Sequence, residues 1–101
     1  MYMVVSKWEI IPGKEDVVER EGRQMREYLR SLDGVEFVET FRAEDGSGIA
    51  VLGYRDEDTY RRIIQDPEGP FEKRARELRL EDNMRWVWSE RGETVDSAVQ
   101  V

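Results

Sequence analysis

Ser6, Trp8, Ala50, Leu52 and Tyr54 recur at every second position in two short apolar segments. Residues two apart share one face of a strand. If the two segments are neighbouring strands, these five side chains meet on one surface. Two hydroxyls among aromatic and aliphatic groups suit a pocket for a flat, hydrophobic ligand, with Ser6 and Tyr54 supplying its hydrogen bonds. Tyr28 and Phe71, from segments with helical spacing, are placed to close over it. The same residues also describe a filled core, where large rings are buried and their polar tips bond to backbone. Apolar stripes are more often core than cavity wall, so core is the expectation here.

Other chemistries find less support. The chain has no cysteine and no histidine. That excludes disulfides, thiol nucleophiles, serine–histidine triads and the usual zinc ligands. Asp56-Glu57-Asp58 reads as a helix cap and first turn rather than a cation site, so no metal is expected. The formal charge is −7, opposite to what a phosphate backbone attracts. The basic stretch Lys73-Arg74-Ala75-Arg76 alternates with Glu72, Glu77 and Glu81. Glu72–Arg76 and Lys73–Glu77 sit at i,i+4, a solvated ion-pair ladder rather than a nucleic-acid patch. Arg55 and Arg85 lie within strands, where pairing with Glu39 or Glu90 is expected over binding of an anionic ligand. Trp86 and Trp88 fall on one strand face by alternation, where they could line a ligand cavity; core packing or anchoring of a partner surface is the expectation.

The elements that must position these residues follow from periodicity. Residues 2–11 alternate, with Val4, Ser6, Trp8 and Ile10 on one face and Met3, Val5, Lys7 and Glu9 on the other. Pro12-Gly13 ends this strand, and Lys14-Glu15-Asp16 opens a helix whose buried stripe is Val17, Val18, Met25, Tyr28, Leu29 and Leu32. Gly22 interrupts the stripe and predicts close packing of helix on strand. Gly34 predicts a left-handed cap. Val35 to Arg42 is a second strand with Val35, Phe37, Glu39 and Phe41 on one face. Glu44 to Gly48 is a glycine-rich hairpin turn. Ile49 to Arg55 is a third strand, apolar on both faces and hence central. Asp56 caps a second helix, which Asp66-Pro67 and Gly69-Pro70 break and which resumes with Phe71, Ala75, Leu78 and Leu80. Asn83 to Arg91 is the fourth strand. Residues 1–92 are expected to form one domain. Residues 93–101 form a tail whose Val95, Val99 and Val101 permit a short extra strand on a partner. No apolar run approaches the ~20 residues of a membrane span, and Lys7 and Glu9 interrupt any secretory signal. A cytoplasmic protein is expected.

Strand, helix, strand, strand, helix, strand is the ferredoxin-like βαββαβ order, an α+β fold with a four-stranded antiparallel sheet and two helices on one face. Two helices cover only that face. The other keeps Met3, Val5, Ile49 and Val51, and a second copy of the chain would cover it. Three marks narrow the match: Pro12-Gly13-Lys14-Glu15 after the first strand, Leu32-Asp33-Gly34-Val35 before the second, and Gly53-Tyr54-Arg55-Asp56-Glu57-Asp58-Thr59-Tyr60 leading to Asp66-Pro67 and Phe71. In this order and spacing, over nearly the whole chain, the sequence resembles the dimeric α/β-barrel proteins of the antibiotic-biosynthesis-monooxygenase type.

The resemblance implies a homodimer whose two sheets face each other, with a site between sheet and helices in each protomer. It implies either cofactor-free oxidation of a phenolic substrate or haem degradation. Haem-degrading relatives carry a histidine on the second helix, and no histidine exists here. Their strand-one asparagine is matched by Ser6. The polyketide oxygenases' strand-three asparagine falls near Ala50, and the tryptophan ending that strand is Tyr54. The site implied is therefore Tyr54 and Ser6 as orienting, catalytic groups, with Trp8, Ala50, Leu52, Tyr28 and Phe71 binding the ligand, and Asn83 as a spare polar candidate. No cofactor is implied. A non-catalytic homodimer that binds a small hydrophobic or aromatic ligand is the alternative, and a general acid–base isomerase or lyase using Glu39 is a third.

Overall fold

The computed structural model describes residues 1–97. Val99 and Val101, invoked above for an extra strand, lie outside the described residues. The elements are β1 (Tyr2–Ile10), α1 (Glu15–Arg30), β2 (Val35–Arg42), β3 (Gly48–Tyr54), α2 (Glu57–Tyr60), α3 (Pro70–Leu78) and β4 (Met84–Glu93). The sheet is antiparallel in the order β2-β3-β1-β4. This is the ferredoxin-like arrangement, and β1 and β3 are its central strands.

The core is built where helices meet one face of the sheet. Val4, Val38, Leu52 and Tyr54 project from the strands, and Met25, Leu29, Tyr60 and Ile63 from the helical segments. Val18, Met25 and Leu29 sit seven and four residues apart, so they fall on one stripe of α1 and are buried together. Tyr2 and Tyr54 both stack against Tyr60, with ring centroids 5.3 and 5.5 Å apart.

The caps follow from chemistry legible in the chain. Asp56 accepts hydrogen bonds from the Thr59 backbone N–H at 2.8 Å and from the Thr59 hydroxyl at 2.6 Å, which starts α2. The Asp56 carboxyl is held below the usual carboxylate range by these two bonds, with Arg55 and Arg62 adding to the effect. The C-cap of α1 is Ser31 in the right-handed region and not the expected Gly34; Gly34 instead takes φ +90° in the turn between Leu32 and Val35, where a Cβ would collide with Thr59. The β2–β3 turn is tied by Asp45, which accepts from the Ser47 N–H and hydroxyl at 2.9 and 2.6 Å and pairs with Lys7 at 2.8 Å.

Several expectations require correction. The second helix continues past Tyr60 as a π turn, Arg61–Gln65, closed by a bond from Asp66 N–H to the Arg61 carbonyl at 3.0 Å. Only after Gly69 does α3 begin, with Pro70 at its first position, where a missing N–H does no harm. Val35 pairs with Tyr54 and Phe37 with Gly53, so Glu36 is an extra residue in β2. Val35 therefore turns toward the helices, while Phe37, Glu39 and Phe41 share the opposite face. A second bulge lies in β4. Trp88 pairs with Lys7 but Trp86 with Trp8, leaving Val87 extra. Trp86 and Trp88 thus end on opposite faces of the sheet. β4 also runs two residues beyond Arg91.

Ion pairs also differ in detail. Arg55 joins Asp33 at 3.4 Å and Asp56 at 4.0 Å, and Glu39 pairs with Arg30 at 4.0 Å. Along α3 the close pair is Arg74–Glu77 at 2.8 Å, an i,i+3 contact in place of the expected Glu72–Arg76 and Lys73–Glu77 pairs.

Candidate functional site

Helices and sheet do not close completely on each other. Between them lies a cavity of about 930 Å³, at the upper end of the range of small-molecule sites. The filled interior favoured by composition is therefore corrected. The stripe is core at Val4 and Leu52, but its continuation is cavity wall.

Strand alternation builds the floor. Ser6 and Trp8 of β1 lie beside Ala50 and Leu52 of β3, with Ser6 opposite Ala50 and Val4 opposite Leu52. Tyr54 ends the row and is 1% exposed. Gly22, Met25 and Arg26 of α1 form one wall, and Tyr60, Ile64 and Phe71 another. Gly22 was expected to mark tight packing of helix on strand. Instead a Cβ there would meet only the Arg26 guanidinium, and the glycine borders open space. The π turn helps shape the other wall: it sends Ile63 into the core, 0% exposed, and Ile64 to the cavity.

Six of the seven sequence-predicted site residues meet here: Ser6, Trp8, Ala50, Leu52, Tyr54 and Phe71. Tyr28 does not line the cavity; it packs beside the core under the Arg74 guanidinium, 5.7 Å from its ring centroid. Asn83 is also elsewhere, donating to Glu21 at 3.1 Å and tying the start of β4 to α1. Glu39 is on the far face of the sheet with its carboxylate largely in solvent, so it cannot serve as a base within this cavity.

The polar groups have defined states. Burial pushes the Tyr54 phenol well above its ordinary value, and Tyr60 adds to the shift. At neutral pH Tyr54 is therefore a hydrogen-bond donor and not a base. The Ser6 hydroxyl accepts the Trp8 indole N–H at 2.9 Å, which fixes the indole against the floor. Arg26 is lowered from its ordinary value by partial burial and by Arg30 and Arg23, against the opposing pull of Glu19 and Glu27; it remains a cation. Arg91 reaches over the Tyr60 ring, 5.7 Å from the centroid. Neither Arg26 nor Arg91 makes an ion pair among the described residues. The arrangement can hold a planar hydrophobic molecule, donate hydrogen bonds to it from Ser6 and Tyr54, and present positive charge to it.

Sequence reasoning missed Ser89, Arg91 and Arg26 on the wall, and it ranked Trp86 as core or partner anchor ahead of cavity wall. Arg26 was findable, being one turn from Gly22 on the same helical stripe. Ser89 and Arg91 were not, because the face they share with Trp86 depends on the bulge at Val87.

No protein-family model and no curated protein matches the sequence. Solved structures match in shape. SnoaB, a cofactor-independent oxygenase from Streptomyces nogalater, aligns with a TM-score of 0.75 at 16% identity, over 98% of this chain and 97% of its own. Rv0793 from Mycobacterium tuberculosis aligns with a TM-score of 0.77 at 14% identity, over 97% of this chain and 98% of its own. An antibiotic biosynthesis monooxygenase aligns with a TM-score of 0.75 at 16% identity, over 94% of this chain and 99% of its own. At these identities the likeness establishes a common fold along nearly the full length: the ferredoxin-like α+β fold of antibiotic-biosynthesis-monooxygenase-type structures.

Proposed function

We propose that the protein binds a small aromatic substrate in the cavity between sheet and helices and oxidises it with molecular oxygen, without metal or flavin. The observation that carries this reading is the open, ring-lined cavity beside Tyr54 and Ser6. A phenolic substrate with an acidic C–H can supply the electrons itself. Loss of that proton to solvent water gives a carbanion, stabilised as the enolate of the ring carbonyl; the same proton is returned to the peroxide after oxygen adds. The carbanion adds to oxygen, and the resulting hydroperoxide loses water to leave a ketone, so one oxygen atom ends in product and the other in water. Tyr54, kept neutral by burial, donates to the enolate oxygen, while Ser6 and Trp8 hold the ring flat on Ala50 and Leu52, and Phe71 shields it from solvent. Tyr54 and Ser6 are thus the groups assigned to chemistry. The likeness to SnoaB supports the same direction.

Oxygen uptake with anthrone as substrate tests this. Tyr54→Phe is expected to lower turnover about 10²-fold, the usual cost of removing one donor to a developing oxyanion. Unchanged uptake would remove Tyr54 from the mechanism. If wild-type protein takes up no oxygen but binds the ring, the alternative holds: a binding module on the same fold.

Assembly is part of the proposal. The sheet face away from the helices carries Met3, Val5, Ile49, Val51 and Phe37 half-buried, with Phe41 58% and Trp88 40% exposed. A contiguous apolar face of this kind needs a cover, and a homodimer with sheets face to face provides it. Residues 1–92, with Glu93 closing β4 against Tyr2, form the domain in this reading. Among the described residues no helix is long and apolar enough to cross a membrane, and a cysteine-free composition suits the cytoplasm.

A further inference from the structure

The cavity face of β1 and β4 carries the same device twice. Trp8 donates its indole N–H to Ser6 at 2.9 Å, and Trp86 donates its own to Ser89 at 2.7 Å. The two devices are in register: Ser6 pairs with Ser89, and Trp8 with Trp86. Ser89 is three residues from Trp86, so in a regular strand the two would point to opposite faces. The bulge at Val87 turns them to the same one.

Each serine oxygen thus already accepts a hydrogen bond, and neither hydroxyl has an acceptor among the described residues. A hydroxyl has one O–H to give. Both remain free, and no hydrogen bond joins one serine to the other. Directly opposed cross-strand side chains have Cβ atoms ~4.5–5.5 Å apart. An acceptor at ~2.7 Å from each hydroxyl spans up to ~5.4 Å, so one ligand oxygen fits between the two. Arg91, two residues beyond Ser89 on the same face of β4, also lines the cavity and makes no ion pair among the described residues.

We infer that Ser6 and Ser89 form a two-donor seat for one anionic oxygen of an aromatic ligand, with Trp8 and Trp86 as the ring wall and Arg91 as countercharge. This rests on the reading of the cavity as an aromatic site and specifies its ligand class: a planar ring bearing a phenolate or carboxylate oxygen. The indole N–H groups matter because each donated bond polarises the serine O–H that faces the ligand.

The test is binding at pH 7.5, followed by tryptophan fluorescence and calorimetry, of three probes: 2-naphthoate, ionised 4-nitro-1-naphthol and neutral 2-methylnaphthalene. At least one anion should bind wild type tenfold or more tighter than the hydrocarbon, and which one does so identifies the group as carboxylate or phenolate. Ser6→Ala and Ser89→Ala should each remove about tenfold of that advantage, read as the ratio of anion to hydrocarbon affinity, with near-ultraviolet circular dichroism confirming folding. Ser89→Thr, which keeps the hydroxyl, should retain it. Trp8→Phe should also retain most of it. If Trp8→Phe abolishes the advantage as fully as Ser6→Ala, Ser6 merely positions the indole and the inference fails. If the hydrocarbon binds but neither anion binds better, the two-serine seat is wrong and the aromatic cavity stands. If no probe binds, both fall together.

Discussion

The two faces of the sheet are made from the same strands, yet they differ in kind. Toward the helices, aromatic rings alternate with hydroxyls, the indole N–H groups of Trp8 and Trp86 are satisfied within the strands, and the layers stand apart around open space. Away from the helices, the side chains are mainly aliphatic or phenyl, and the polar exceptions are charged, such as Lys7 and Glu39. Lys7 is already paired with Asp45. One face keeps donors ready for a guest. The other offers bulk and shape, as a surface does when its complement is another protein layer. Adjacent residues of β3 show how sharply the roles divide: Ala50 floors the cavity and Val51 faces outward.

That division is best broken at those two positions. Val51→Asp places a charge in the proposed sheet-to-sheet interface. An unpaired buried charge costs several kcal/mol, so the dimer dissociation constant is expected to rise by more than about 10³-fold. Analytical ultracentrifugation should find a monomer that still binds an aromatic probe; loss of probe binding with the mass unchanged would reverse the assignment of the faces. Ala50→Trp should do the opposite, filling the cavity and weakening 2-methylnaphthalene at least about tenfold, a loss of about 1.4 kcal/mol, with sedimentation unaltered. Gly34→Ala tests the frame common to both faces. A side chain at φ +90° that also meets Thr59 should cost about 1–3 kcal/mol in urea denaturation, without selectivity between ligand and partner.

The smallest effect is pH-dependent. Tyr54 has a raised pKa in the folded state, so its contribution to stability is complete below the unfolded tyrosine value of about 10 and is lost as pH rises from there through the folded value. Wild-type stability relative to Tyr54→Phe should therefore be flat from pH 6 to 9 and decline above about 10. A decline beginning near neutrality would mean that the phenol is not shielded.

Much of this molecule is legible in its sequence because local chemistry and tertiary structure agree. Alternation assigned both faces of β1 and β3, Asp56 marked the start of α2, Gly34 marked a left-handed turn, and six cavity residues were grouped from their positions on strands and helix. The failures share a cause. Glu36 and Val87 are ordinary strand residues, and nothing in their type announces an extra position, yet each rotates everything beyond it by one face. That is why Trp86 and Trp88 were placed together and Ser89 was overlooked. The π turn at Arg61–Gln65 hid for a similar reason, since it adds one residue to a helical repeat without altering the composition. The cavity itself is a distance between layers. Periodicity names the residues that face inward, but it does not say how far away the opposite wall stands.

Both bulges fall on the outermost strands, β2 and β4, while β1 and β3 pair without interruption. On β2 the Arg30 guanidinium also occupies the Val38 carbonyl, at 3.1 Å from Nε. A sheet with irregular and partly capped margins is a poor template for lateral growth into ribbons or fibrils. The fold can therefore carry a broad greasy plane at high concentration: stacking remains open to it, while edge-to-edge polymerisation is obstructed by the shape of its own borders.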